Sequence, residues 1–210
     1  MMNRETYVEL CNQTNNMTMD TWYSKTKKIF EGQKIEDEDD FVKLVAFAYS
    51  WMPTIPEWRK ELDWEKCKKA LEILNIKKGE PDSLRELLQL IVPTINNSIV
   101  GASKVLHFYC PEYVPIIDSN VVISWRVLFF PTGLRKRTNG EIAELPSNFG
   151  AYGSDTDKRQ KHIDLYIKYS QNLADWSKAL GDVSIRDIET KLYLLGKQIS
   201  DEVKAAKTAN

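Results

Sequence analysis

Residues 100–123 read VGASKVLHFYCPEYVPIIDSNVVI, and this stretch decides both the fold and the chemistry. Three small residues, Gly101, Ala102 and Ser103, precede Lys104, and an apolar helical run then continues to Tyr109. Pro111 and Pro115 interrupt the chain, and the pair Ile116-Ile117 leads into Asp118, where the next helix begins. Lys104 and Asp118 stand fourteen positions apart, each in apolar surroundings. A primary amine and a carboxylate so placed suit one chemistry: the amine attacks a sugar carbon to form a Schiff base, and the carboxylate steers the proton or the developing positive charge. A solvated helix lysine and an aspartate that only caps a helix are the other reading of the same two residues.

Outward from this stretch the pattern is helical. Residues 3–12 and 18–31 read as amphipathic helices on either side of a polar turn. The acidic run Glu36-Asp37-Glu38-Asp39-Asp40 supplies a cap and first-turn charges for a helix over about 40–52, which Pro53 stops. Its apolar residues lie nearly all round, so it is expected to be central. Further helices are expected over about 57–74, from Asp82 or Ser83 to Pro93, and over 97–109, 119–130, 156–180 and 184–200. In the last of these, Ile185, Ile188, Leu192, Leu195 and Ile199 form a stripe read as a packing face. The expected fold is all-α, about eight to ten helices in a single domain over residues 1–210, arranged in two lobes with a cleft near residues 97–125.

Composition limits the function classes. A chain of 210 residues with 42% hydrophobic content and six tryptophans buries a real core. No apolar run approaches the roughly 20 residues of a membrane span, so no membrane partner is expected. With no apolar leader after Met1 and three scattered cysteines (Cys11, Cys67, Cys110), the chain reads as cytoplasmic with free thiols. His107 and His162 are the only histidines and no Cys/His spacing suits a metal, so neither a metal nor another cofactor is expected. A nuclease is disfavoured for the same want of a metal-binding carboxylate cluster outside the acidic run. Net charge is −1, but Lys25/Lys27/Lys28, Arg135-Lys136-Arg137 and Lys158-Arg159/Lys161 gather basic charge locally, which leaves a nucleic-acid partner open.

The order small loop, lysine, apolar helix, proline, apolar pair, aspartate, Ser-Asn-Val resembles the active-site stretch of helix-hairpin-helix DNA glycosylases. It is most similar to the 8-oxoguanine glycosylase branch, over about twenty-five residues. The resemblance implies a helix-hairpin-helix DNA glycosylase-like fold, with Lys104 as nucleophile and Asp118 as the second catalytic group. It also implies a partner, double-stranded DNA containing a modified or damaged base. The family's Leu-Pro-Gly-Val-Gly hairpin is replaced here by Asn97-Ser98-Ile99-Val100-Gly101-Ala102-Ser103, and the four-cysteine iron–sulfur loop of some relatives is absent. A degenerate hairpin points to an unusual substrate, and one expectation is a hypermodified base in invading phage DNA, which would make the protein a defence factor. The competing reading is a non-catalytic helical DNA- or protein-binding module that retains the fold.

Around the pair, Gly101 and Ser103 are expected to meet the DNA backbone, together with Arg135, Lys136 and Arg137 in the irregular segment 131–152. Tyr109, Tyr113 and Trp125 are candidates to stack on a base or wedge the duplex, with core packing as the alternative. Phe149 and Tyr152, beside Gly150 and Gly153, are candidates for a lid over the base pocket. His107 reads as a core or capping residue. Asp118, at a helix N-terminus, is expected to stay ionised because the dipole there favours anions.

Overall fold

A computed structural model describes residues 2–18, 23, 25, 26, 29, 34–130, 142–150 and 152–208. Among these residues the chain is all-helical. The helices are α1 (Arg4–Gln13), α2 (Glu38–Tyr49), α3 (Trp64–Ile76), α4 (Pro81–Thr94), α5 (Ile99–Tyr109), α6 (Ser119–Phe129), α7 (Thr156–Leu180) and α8 (Ile185–Thr208). Short polar side chains start most of them. Asn3, Asp37, Asp63, Ser98, Asp118 and Asp155 each accept from an amide in the first turn of α1, α2, α3, α5, α6 and α7, satisfying donors the helix itself leaves open. Gly181, at φ +79°, ends α7 in a backbone conformation that costs glycine nothing.

One apolar core runs from α1 to α8. α6 makes its most extensive contact with α8, α2 packs on α5, and α4 contacts α3, α5 and α7. Two glycines permit the closest of these approaches. A Cβ at Gly196 of α8 would stand 1.8 Å from the Asn120 carbonyl oxygen in the first turn of α6, and one at Gly101 of α5 would stand 2.3 Å from the Tyr49 hydroxyl of α2. At the other end of α6, Trp125 stacks on Trp176 at 5.1 Å between ring centroids and meets Phe129 and Tyr169 edge-on.

The expected helix over 57–74 begins only at Trp64. Residues 57–59 instead run antiparallel to the end of α4: Trp58 bridges to Ile95, Arg59 N donates to Thr94 O at 2.8 Å, and Asn96 N donates to Glu57 O at 3.0 Å. Tertiary pairing overrides local helical propensity there. The last helix continues past residue 200 to Thr208. Of the expected helix over 18–31, Thr18, Tyr23, Lys25, Thr26 and Ile29 are described; the last four are helical and Thr18 is not.

The turn between α4 and α5 departs from a glycine hairpin. Asn96 and Asn97 both hold left-handed backbone (φ 53° and 50°), which asparagine tolerates better than most residues. Asn96 Oδ1 accepts from Glu57 N at 2.6 Å, and Asn97 Nδ2 donates to Gly153 O at 2.9 Å. Gly101 therefore lies inside α5 and takes no part in the turn.

Candidate active site

α5 carries Lys104 and the N-cap of α6 is Asp118, and the extended segment 115–117 between them is held from three sides. Ser103 Oγ accepts from Ile117 N at 3.3 Å, so the residue before the lysine is tied to the residue before the aspartate. From α8, Glu189 Oε2 accepts from Ile116 N at 3.3 Å. From α7, Tyr166 Oη donates to Pro115 O at 2.7 Å and Tyr169 Oη to Ile116 O at 3.1 Å. Backbone groups of this largely buried connection are thus paired, and Lys104 and Asp118 are set on one frame.

Lys104 and Asp118 open into the same cavity, of about 260 Å³. Tyr23, Trp51 and Phe108 supply aromatic surface, and Arg186, Glu189, Tyr193 and Lys197 supply a face of α8. Lys104 Nζ donates to Trp51 O at 3.5 Å, while the Trp51 indole N–H is buried with no acceptor among the described residues. Tyr23 packs edge-on to Trp51 and contacts His107 Nε2 through its hydroxyl at 2.6 Å. His107 is fully buried, and its Nδ1 lies 2.7 Å from Val114 O. A carbonyl can only accept, so Nδ1 donates to Val114 O, and Nε2 pairs with the Tyr23 hydroxyl. His107 is a core residue that supports Tyr23, which lines the cavity.

Burial moves the two groups toward each other. It lowers the Lys104 pKa from the ordinary 10.5, opposed by the charges of Asp118 and Glu189. It raises the Asp118 pKa from the ordinary 3.8, opposed by the Val121 amide and Lys104. The helix dipole alone would favour an ionised Asp118, but desolvation outweighs the cap in setting the direction of the shift. A depressed amine pKa raises the neutral, nucleophilic fraction at a given pH, which is what imine formation needs.

The structure relocates most of the other expected site residues. Gly101 is packed under Tyr49 and Ser103 is fully buried on Ile117 N, so neither is available to a DNA backbone: both shape the frame instead. Trp125 is no part of a base pocket, being wholly buried with its indole N–H donated to Ala143 O at 2.8 Å. Tyr109 lines a separate open groove with Cys110 and Tyr113. Phe149 and Tyr152 are not a lid. Both rings are buried edge-on to His162, and the Phe149 carbonyl accepts from Ile99 N at the start of α5. Phe149 still borders the centre, in a second cavity of about 220 Å³ that also touches Asp118. Arg135, Lys136 and Arg137 lie outside the described residues. The following part of that segment is core: Ile142, Ala143 and Leu145 are buried.

Sequence reasoning missed the α8 face. Arg186, Glu189, Tyr193 and Lys197 recur at helical spacing beside the apolar stripe of the same helix. A second, polar stripe of that period was the available signal. Among the described residues no group of three His, Cys, Asp or Glu side chains could hold a metal ion, and no helix is long and apolar enough to cross a membrane. Comparison with protein-family models, with curated proteins and with solved structures finds no match.

Proposed function

We propose that the protein is a DNA glycosylase that excises a damaged or modified base from double-stranded DNA, with abasic-site lyase activity through Lys104. The observation that carries this is the convergence of Lys104 and Asp118 in one aromatic-walled cavity, on a segment held by Ser103, Glu189, Tyr166 and Tyr169. Neither capping nor solvation calls for a half-buried lysine and a half-buried aspartate that line the same cavity. In this reading the target nucleotide is flipped out of the stack and its base enters the cavity. Lys104 Nζ attacks C1′ as the glycosidic bond breaks, and the base leaves with the bonding electrons. Asp118 stabilises the positive charge on the sugar. The sugar ring then opens to an imine on Lys104, and loss of a C2′ proton cleaves the strand by β-elimination. The helix-hairpin-helix resemblance, its two-lobed arrangement and a role against phage with modified DNA belong to the same proposal.

Borohydride trapping tests it. Wild type is expected to form a covalent adduct on abasic or lesion-bearing duplex, and Lys104→Ala to form none while retaining its far-ultraviolet circular dichroism. Equal trapping by the alanine variant removes Lys104 as nucleophile. Base release without any adduct indicates a monofunctional enzyme in which Asp118 activates water. Wild type that neither releases a base nor traps leaves the non-catalytic binding module as the function.

A further inference from the structure

The cavity holds a second charged pair that the reaction above does not consume. Arg186 Nη1 donates to Glu189 Oε1 at 2.5 Å, and its Cζ lies 4.2 Å from the centre of the Tyr23 ring. The Arg186 side chain is 17% exposed and that of Glu189 3%, so Glu189 is buried while the half-buried guanidinium meets the cavity. A guanidinium held over a ring and tied at one nitrogen is restricted in its orientation. Glu189 is fixed in turn by Ile116 N, on the segment that carries Asp118. Arginine presents five N–H donors, and among the described residues no acceptor bonds to Nε or Nη2. The result is a preorganised planar donor edge, in the same chamber as the nucleophile, with no acceptor among the described residues to satisfy it.

We propose that Arg186 reads the edge of the base extruded into this cavity, selecting bases that present two adjacent hydrogen-bond acceptors. This rests on the glycosylase reading and narrows its substrate class. Guanine offers such a pair at N7 and O6, which an 8-oxo group removes by putting a hydrogen on N7, and cytosine offers one at O2 and N3 once it is unpaired. Adenine places a donor beside each ring-nitrogen acceptor on those edges, and uracil and thymine place N3–H between their carbonyls. A base with a donor at the wrong place leaves a desolvated arginine unmatched, and such mismatches are refused more strongly than missing apolar contacts. The substrate class is therefore cytosine-derived bases and guanine-derived bases that keep N7 as an acceptor, which excludes 8-oxoguanine. A chamber of about 260 Å³ lies just under the common range of ligand sites, about 300–1,000 Å³, and suits something of nucleobase size.

The test uses Arg186→Lys, which keeps a cation for Glu189 and loses the fork, with two readouts: single-turnover base release from duplexes carrying modified guanine, cytosine, adenine or uracil, and Lys104 trapping on an abasic duplex, which has no base to read. Wild type is expected to release cytosine-derived bases, and guanine-derived bases that keep N7 as an acceptor, in preference to the others. The variant is expected to lose roughly tenfold to a hundredfold in that release and most of the preference, with a much smaller loss in abasic trapping. If Arg186→Lys does not fold, Arg186→Met combined with Glu189→Gln removes both charges together and leaves no orphan ion, and the same split is expected of it. A variant that keeps wild-type rate and preference overturns the assignment, as does wild type that prefers adenine- or uracil-derived bases. An equal loss in both readouts makes Arg186 a structural residue and overturns it too. Wild type with neither base release nor trapping overturns the glycosylase reading, and this assignment with it.

Discussion

Gly196→Ala sets two effects of known size against each other at the back of the candidate site. Alanine is favoured over glycine in a helix interior by about 1 kcal/mol, so on propensity alone the substitution stabilises α8. The tertiary structure reverses the sign. The new Cβ would lie 1.8 Å from the Asn120 carbonyl oxygen and 2.5 Å from its carbon, and real Cβ contacts essentially never fall under 3.0 Å. Both atoms are backbone in the first turn of α6, so no rotamer relieves the clash and the two helices must part by about 1.2 Å. Overpacking of this kind costs typically about 1–3 kcal/mol, and a backbone collision belongs at the upper end. The net expectation is a loss of about 1–2 kcal/mol, seen as a fall in melting temperature of roughly 2–8 °C for a chain of this size. Function should suffer more than stability. Asn120 lies two residues beyond Asp118, and Gly196 lies between Tyr193 and Lys197 on the cavity face. A misplacement of about 1 Å in a reacting constellation costs on the order of a hundredfold in rate. Thermal unfolding followed by circular dichroism, and the rate of borohydride trapping on abasic duplex, are the two assays. Gly101→Ala is the internal control: its Cβ meets the far end of the Tyr49 side chain, which can tilt, so its stability loss should be the smaller. A Gly196→Ala protein that melts higher than wild type would refute the reasoning, because propensity would then have outweighed packing.

Trapping on abasic duplex should rise with pH as Lys104 loses its proton, with a half-point below 10.5, and Asp118→Asn should move that half-point lower by removing a charge that holds the ammonium; an upward move contradicts the pairing. Because the folded-state pKa of Asp118 is raised, its contribution to stability is full below pH 3.8 and is lost as pH rises through the folded-state pKa. Asp118→Asn keeps a cap acceptor, so the two proteins should melt within about 1 kcal/mol of each other in acid, and the variant should gain on wild type as pH rises, while base release falls by orders of magnitude. Trp125→Ala should cost about 3–5 kcal/mol in denaturant unfolding, as for a large core aromatic; a near-neutral result would make Trp125 a base-stacking candidate again. Replacing Arg135, Lys136 and Arg137 together by alanine should flatten the salt dependence of DNA affinity by roughly one unit of log–log slope for each phosphate the variant no longer neutralises, and identical slopes would put the phosphate grip elsewhere.

Most of the helices, several of their caps and the lysine and aspartate that share the candidate cavity were legible in the sequence. Those signals are local: a 3.6-residue apolar period, a short polar residue before it and a proline after it act within a few residues of where they are written. The lysine and aspartate were legible because charged groups in an apolar run are costly and call for a reason. The tertiary structure alone decided what surrounds them. Glu189 meets Ile116 across 73 positions, and Tyr23 meets His107 across 84. Ser103 and Gly101 looked like surface loop residues because small residues mark loops, yet they serve here as sites of close approach inside a helix. Trp125 looked available for stacking and Phe149 for a lid, but an aromatic side chain carries no local sign of whether a partner helix already covers it. Helical periodicity states that a face exists, and only the packing of α8 against α6 turned the polar stripe of Arg186, Glu189, Tyr193 and Lys197 toward the cavity.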